Sequence, residues 1–407
     1  MKSLILHNKS SAKVVRGERE LTFSDLTEEP RGTIPGEWIL LLDQNSKRNY
    51  LAYINSFSEN YFKIKIICED FEKQFNANSN EETVAILLIE NFLKEAFLKR
   101  KVFKGYETGS RLVYGSADFL PGLIVDMHEK IILIQINTAG MDRFRNLIHG
   151  IIQDSYKSHK VLFLDNAEYR KSEMLPTYES EKLNEDLTIL ENNIRYKIDK
   201  SVVQKIGYYY DHRENRNKLR ALLKRSSLSL QSGLDLFCYV GSWGLHLLDS
   251  GVPKVDFVDQ ANMEKVVEEN VKLNGYNNKG SFFRSDVFKF LDQAIIQNKK
   301  YDVIISDPPA FTKSEKNKIQ ALQGYEKLHT KAMKLLNDKS LFVAASCTHP
   351  VGIEELDRTV QEAAFKNNLN VQLLDLGTQG FDHPSSGFKD NGFYIKYLVY
   401  YVTRGKK

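Results

Sequence analysis

The sequence predicts an α/β protein: a doubly wound, mostly parallel sheet in the C-terminal half with an antiparallel last strand, behind a small β-rich module and a central α+β section. Three observations predict it. From Leu234 onward, short apolar runs alternate with amphipathic segments, the pattern of strand–helix–strand units. The first run, in LDLFCYVGSWGLHLL (Leu234–Leu248), breaks at Gly241 and resumes as a helix, and the next ends at the carboxylate of Asp259. Glycine at such a turn lets backbone approach a ligand closely, and an acid at the tip of the following strand can take the paired hydroxyls of a ribose. The last two apolar runs, Val371–Leu376 and Phe393–Val402, have no helix between them, so the final strand is expected to pair antiparallel with its predecessor at the sheet edge.

The elements follow in order. Up to residue 72, strands at Glu37–Asp43, Asn49–Asn55 and Tyr61–Cys68 with turn signals between them make the β-rich module. From Glu81 to Lys101, Val84, Leu87, Leu88, Asn91, Phe92, Ala96 and Phe97 recur at mostly helical spacing, giving one long amphipathic helix. Turns at Gly115 and Pro121-Gly122 frame strands at Leu123–Met127 and Ile131–Ile136, within a section running from 73 to 186. Leu187–Leu190 and Ile194–Ile198, joined by Glu191-Asn192-Asn193, read as a hairpin that opens the third domain, 187–407. Strands there are placed at Leu234–Phe237, Lys254–Val258, Ser281–Phe283, Asp302–Ile305, Leu341–Ala345, Val371–Leu376 and Phe393–Val402. Helices between them include Asn262–Leu273 and Ile319–Leu336.

A chain of 407 residues is too long for one ordinary domain. A hydrophobic share of 42% and a charged share of 27% are those of a soluble globular protein, and no window reaches the length of an apolar membrane span. The opening MKSLILHNKS has too short an apolar core for a signal peptide. Cys68, Cys238 and Cys347 are odd in number, far apart and without CxxC spacing, so a reducing, cytoplasmic setting without a structural metal is expected. A net charge of +4 permits a polyanionic partner without demanding one. Two basic clusters, Lys99–Lys104 and His212–Arg225, read either as contacts for such a partner or as solvated helix faces.

The residues capable of chemistry fall at the carboxyl ends of the expected parallel strands, where ligands bind in such sheets: Phe237, Tyr239, Gly241, Asp259, Asp286, Asp307 and Cys347. Asp286 can accept the exocyclic amino proton of an adenine, cap the helix from Val287, or do both. In Asp307-Pro308-Pro309 the prolines hold φ and remove two donors, giving a stiff platform. Asp307 can bind the amino edge of a flat base beside Pro308 and Pro309, with Phe311 stacking on it. Cys347 follows an apolar strand and reads as an inert core residue or as a nucleophile. A thiolate adding to carbon 6 of a pyrimidine makes carbon 5 able to attack an electrophilic methyl. Cys238 reads as packing, and His349 as a proton-transfer group or a loop residue. In QKIGYYYDHRENR (Gln204–Arg216), Arg213 can pair with a cofactor carboxylate, or Arg213 and Arg216 can contact RNA phosphate.

GYYYDHRENR, LFCYVGSWG, SDPPAF (Ser306–Phe311), SCTHP (Ser346–Pro350) and FDHP (Phe381–Pro384) occur in one order, after SRLVYGSADFLPGLIVD (Ser110–Asp126). In these motifs the chain resembles the bacterial large-subunit (23S) ribosomal RNA cytosine-5 methyltransferases, class I S-adenosylmethionine-dependent enzymes with an N-terminal PUA domain. The resemblance spans most of the chain. It implies a PUA-like domain at 1–72, a central domain at 73–186 and a Rossmann-like class I methyltransferase domain at 187–407. It further implies S-adenosyl-L-methionine as cofactor, contacted around Phe237, Tyr239, Gly241, Asp259, Asp286 and Asp307. Cys347 would be the nucleophile, Asp307 would hold the target cytosine, and large-subunit ribosomal RNA would be the partner of a homodimer. Two departures stand out. Val14–Trp38 lacks the basic GHPWV-like opening of the PUA domain, and Ala310 stands where the family often has lysine. Other cytosine-5 families have a second cysteine; with Ala310 no second thiol serves product release, which leaves a single-cysteine scheme.

Three rival readings remain at this level. A nicotinamide dehydrogenase shares the glycine turn and Asp259 but neither DPPAF nor the helix-less ending. Methylation of guanine or of an exocyclic amine would leave Cys347 idle. A non-catalytic RNA-binding ribosome-assembly protein would keep the pocket only for stability.

Overall fold

The computed structural model describes residues 1–70, 74–178, 183–203, 207–385 and 392–405. They form two compact units: Met1–Leu187 with Val203–Tyr208 and Phe381–Gly392, and Thr188–Val202 with Tyr209–Gly380 and Phe393–Lys407. Gln204 and the expected boundary at 72/73 lie outside the described residues.

The first unit holds two sheets. A five-stranded sheet runs in the order Lys2–Ile5, Glu37–Asp43, Arg48–Ile54, Ile64–Glu69, Glu20–Leu21. A four-stranded sheet runs Ser110–Tyr114, Leu123–Met127, Ile131–Ile136, Lys160–Phe163. The helix Glu81–Lys101 has the bounds its periodicity predicts and buries Val84, Ala85, Ile89, Leu93, Ala96 and Phe97. The Asn80 side chain accepts from Thr83 N, with Glu81 and Glu82 in the first turn and Lys99–Lys101 in the last, matching the helix dipole. Trp38 and Tyr53 share one apolar cluster with Ile89, Leu93, Leu123 and Ile134, so the β-rich module and the central section have a common core. The third expected strand starts at Ile64 rather than Tyr61, because Tyr61 and Phe62 face solvent.

Ion pairs absorb part of what reads as a basic surface. Arg100 is buried and bidentate to Asp118 at 2.7 Å, and Arg111 is paired with Asp126 at 2.8 and 2.9 Å. Asp382 of FDHP accepts from Arg111 N at 2.9 Å, so that motif packs within this unit.

The second unit opens on the hairpin Leu187–Glu191/Ile194–Ile198, whose turn residues Asn192 and Asn193 take φ of 52° and 68°, the left-handed pair that a two-residue hairpin requires. Its main sheet contains β1 (Ser232–Leu236), β2 (Lys254–Asp259), β3 (Gly280–Arg284), β4 (Tyr301–Ser306), β5 (Leu336–Ser346), β6 (Leu369–Gly377) and β7 (Lys396–Arg404). The strand order is β3-β2-β1-β4-β5-β7-β6. The first five pair in parallel, and β7 pairs antiparallel with both β5 and β6.

One expectation is corrected here. The last strand is antiparallel, yet it is inserted between β5 and β6 and does not form the edge. The burial patterns give the reason: Lys396–Val399 and Tyr400 are buried, whereas Gln372, Leu373 and Leu374 of β6 are exposed. A strand apolar on both faces belongs inside the sheet. β7 also starts at Lys396 rather than Phe393, because the Tyr394 and Ile395 amides turn to the Gln379 side chain. The helix expected to reach Leu336 stops at Met333, since Leu336 already pairs with Tyr301 in the sheet. Among the described residues, no helix is long and apolar enough to cross a membrane.

Candidate active site

The loop between β1 and the helix Ser242–Asp249 is built from left-handed residues: Phe237 at φ 63°, Tyr239 at 48° and Gly241 at 84°. For a residue with a Cβ this conformation costs about 1–3 kcal/mol, so the surroundings must impose it. Cys238 N donates to Val258 O at 3.1 Å, Gly241 N to Cys238 O at 2.8 Å, and Tyr239 N to Asp259 Oδ2 at 3.0 Å. A Cβ on Gly244 would lie 2.2 Å from the Phe257 ring, so any side chain there would lift the helix off β2.

Asp259 therefore has a second role. Its Oδ2 anchors Tyr239 and its Oδ1 accepts from Ala261 N at 2.8 Å, while each oxygen keeps a further lone pair for a ligand. Asp286 is exposed at the end of β3 and accepts from Lys289 N at 3.0 Å, so the capping role is realised.

Asp235, within β1, is a participant the sequence does not single out. It is fully buried and accepts from Gly244 N at 2.8 Å. Burial pushes its carboxyl up to about 8, with Asp307 and Asp259 adding to the rise. It is thus held neutral near pH 7. Its Oδ1 has no hydrogen-bond partner among the described residues.

Asp307 emerges from β4 with Oδ2 accepting from Trp243 Nε1 at 2.8 Å and Oδ1 3.7 Å from His212 Nε2. Trp243 is stacked on Tyr397 with an interplanar angle of 8°. Asn215 Nδ2 lies 3.0 Å from His212 Nδ1 and donates to Thr378 O at 2.9 Å. His212 Nε2 is buried without a hydrogen-bond partner among the described residues, aimed at the carboxylate. Neither His212 nor Trp243 is legible as a site residue from its neighbours in the sequence. The only signal is that both lie in segments flanking the glycine turn.

Cys347, just past β5, is half-buried, and its Sγ lies 3.8 Å from Pro308 O. Parallel pairing of β4 with β5, Ser306 opposite Ala344, produces that approach. Tyr325 OH bonds Ser346 Oγ at 2.8 Å and Thr348 Oγ1 at 2.7 Å, clamping the residues on either side of the thiol. Cys238 behaves as packing: complete burial pushes its thiol well above the ordinary range.

Two expectations change. Phe311 does not stand free to stack on a base, because its ring packs on Tyr325, with centroids 4.6 Å apart, and against Gly324. Arg213 and Arg216 are each 2% exposed, so neither presents a guanidinium to phosphate at the surface. Arg216 is bidentate to Glu191 at 2.6 and 2.8 Å, and Arg213 lies over Tyr210 with its Nε 3.7 Å from Glu191. Lys224 and Arg220 pair with Asp249. A cluster that reads as a polyanion contact is largely internal ion pairing.

Comparison with known proteins agrees with this geometry. Residues 151–372 match the family described as S-adenosylmethionine-dependent methyltransferase. "Ribosomal RNA large subunit methyltransferase I" of Aeromonas salmonicida is 30% identical over 331 residues, covering 78% of this chain and 81% of its own. The protein of that name from Shewanella amazonensis is 28% identical over 312 residues, covering 75% and 76%. Two solved structures share the fold over 98% of this chain and 100% of theirs. One is reported as a SAM-dependent methyltransferase from Streptococcus mutans (TM-score 0.75, 18% identity), the other as a methyltransferase complexed with SAH (TM-score 0.77, 19% identity).

The residues present fit the cofactor. The glycine turn supplies close backbone approach, Asp259 a bidentate acceptor, and the buried partnerless atoms of Asp235 and His212 are polar groups that a ligand would satisfy. Asp259→Ala is expected to weaken S-adenosylhomocysteine binding by about 1–3 kcal/mol, read by isothermal titration calorimetry. Equal affinities would assign the ribose to other groups. With its family match running from 151 to 372 across the sheet that carries this site, the chain belongs to the S-adenosylmethionine-dependent methyltransferase family.

Proposed function

We propose that the protein methylates carbon 5 of a cytosine in large-subunit ribosomal RNA, with Cys347 as covalent nucleophile. The observation that carries this reading is the half-buried thiol held 3.8 Å from the carbonyl of Pro308, on the platform that follows Asp307. The name shared by the relatives, Ribosomal RNA large subunit methyltransferase I, supports the class of RNA. When bound, the cofactor supplies an electrophilic methyl on a sulfonium sulfur.

In this reading Asp307, steadied by Trp243, accepts from the amino edge of the cytosine, and Pro308 and Pro309 give the loop beside the base a stiff backbone. The Cys347 thiolate would add to carbon 6, and the electron pair displaced to carbon 5 would take the methyl that the cofactor supplies as the methyl's bond to sulfur breaks. Loss of the carbon 5 proton restores the ring and expels the thiolate. The five-stranded sheet within residues 1–72 is proposed as a PUA-like RNA-binding domain, distinct in role from 73–186.

The test is nucleoside mass spectrometry of large-subunit ribosomal RNA from a strain lacking the gene, incubated as naked RNA and as particles with purified protein and isotopically labelled S-adenosylmethionine. Label in 5-methylcytidine is expected. Label in another nucleoside would keep the family and discard Cys347 as nucleophile, and no label on either substrate would leave a binding role.

A further inference from the structure

Lys396 is the first residue of β7, opposite Ser346 in the register, so it sits beside Cys347 on the neighbouring strand. It is 2% exposed, in a strand whose next residues, Tyr397 to Tyr400, are each 1% exposed or less. A buried ammonium is retained only where hydrogen bonds and an opposite charge compensate its lost hydration. The hydrogen bonds are present. Nζ donates to Thr348 O at 2.7 Å and to Tyr394 O at 3.0 Å, and the first of these carbonyls belongs to the residue after Cys347.

Carbonyls accept hydrogen bonds but carry no formal charge, so the compensating anion must come from elsewhere. The groups facing Lys396 are few. Burial draws its pKa down to about 8; Cys347 opposes that most, Glu355 less, and Lys318 adds to the fall. Glu355, from the helix Ile353–Lys366, is already engaged by Lys318 at 2.9 Å and by Gly352 N at 2.8 Å. Tyr325, which also faces Cys347, is held protonated by burial, with its phenol pushed far above its ordinary value. Of the groups that act on Lys396, Cys347 is the one whose negative charge would favour the ammonium most.

We propose that Lys396 is the positioning cation of this site: its buried ammonium holds Cys347 as a thiolate and ties down the turn that presents it. The inference rests on the nucleophile reading of Cys347. No bond to Lys396 forms or breaks. The thiol proton leaves to solvent, sulfur keeps the electron pair for carbon 6, and the thiolate expelled at the end of the cycle returns to the same cation.

The experiment is iodoacetamide alkylation of the full chain between pH 5 and 9.5, with the Cys347 peptide quantified by mass spectrometry, in wild type, Lys396→Met and Lys396→Arg. An unassisted thiol becomes half-reactive near pH ~8.5, and one beside a cation at about 7.5 or below. Wild type is expected to follow the second profile. Lys396→Met should move it up by a unit or more, lowering alkylation at pH 7 about tenfold, and Lys396→Arg should stay close to wild type. A wild-type profile centred near 8.5, or one that Lys396→Met leaves in place, overturns the proposal. If Lys396→Met does not fold, judged by S-adenosylhomocysteine binding, the wild-type profile alone decides. Alkylation does not depend on methyl transfer, so the two readings fail separately. An active Cys347→Ala enzyme beside a low wild-type profile removes the nucleophile and keeps the ion pair, whereas an inactive one beside an unmoved Lys396→Met profile removes only Lys396.

Discussion

Cys347→Ala is expected to lower methyl transfer by at least about a thousandfold while leaving S-adenosylhomocysteine affinity within about twofold of wild type. The size of the loss follows from chemistry: carbon 5 of cytosine is too poor a nucleophile to attack a sulfonium methyl until something adds at carbon 6. No second thiol can substitute. Cys238 is buried in the cofactor loop with its thiol pushed far up, and burial pushes the Cys68 thiol up to about 12. Affinity is expected to survive because the bonds described above as shaping the left-handed loop run among Cys238, Tyr239, Gly241, Val258 and Asp259. Single-turnover transfer from labelled cofactor measures the loss. A companion readout is RNA containing 5-fluorocytosine, which should remain covalently attached to wild type and run free with the alanine variant. Ordinary turnover by Cys347→Ala would leave amine methylation on the Asp307-Pro308-Pro309 platform as the surviving chemistry.

The second large effect concerns stability. Glu191→Gln is expected to destabilise the fold by about 3–5 kcal/mol, the scale for removing one partner from a buried ion network. Glu191 is 1% exposed in the hairpin and answers Arg216 with both oxygens, with Arg213 and His246 each 3.7 Å away. Arg216 holds its carboxyl below the usual range despite burial, and burial draws His246 down to about 4. Near neutral pH the Glu191 carboxylate answers both guanidiniums, and the amide removes that charge. Both titrations act in one direction. His246 takes up protons in the unfolded chain below its ordinary ~6.5 and in the folded one only near 4, and Glu191 loses its contribution below the usual carboxylate range. Wild-type stability should therefore fall as pH drops from about 6.5 toward 4. Urea unfolding across that window checks it, and a glutamine variant with an unmoved midpoint would show that other groups hold Arg216, such as Tyr209 O, to which it already donates at 2.8 Å. The damage should also reach the site, because Arg216 lies over Trp243, the residue that bonds Asp307.

How much of this was legible in the sequence depends on how local the cause is. The helix Glu81–Lys101 and the strands Leu123–Met127 and Ile131–Ile136 were readable to the residue, because period and turn signals are written in consecutive positions. The carboxyl-end residues were readable because strand ends determine where Asp259, Asp307 and Cys347 stand. The place of β7 was not: its lack of a preceding helix gives its direction, but its neighbours depend on which of two strands is the more apolar. The fate of Arg213 and Arg216 turned on Glu191, which a local reading assigns to a hairpin turn. Lys396 offered one signal, a lysine inside FYIKYLVYYV, and its partners are carbonyls that no side-chain pattern announces. Asp235 reads as one more strand residue, and its distinct state comes from complete burial, to which Asp307 and Asp259 add, neither of which its neighbours in the sequence announce.

The position of β7 has a consequence for how the protein comes into being. A ribosome delivers β1 to β6 first, yet among the described residues β6 pairs with β7 alone, and the edge of β5 that β7 covers stays open until β7 arrives. While those last residues are still within the exit tunnel, the nascent chain carries an uncovered strand edge, the kind of surface that invites pairing with other chains and occupation by chaperones. It also lacks Lys396 and the Tyr397 ring on which Trp243 rests. Most of the sheet can thus form early, but the corner that holds Cys347 and Lys396 is completed only once β7 has left the tunnel and paired with β5.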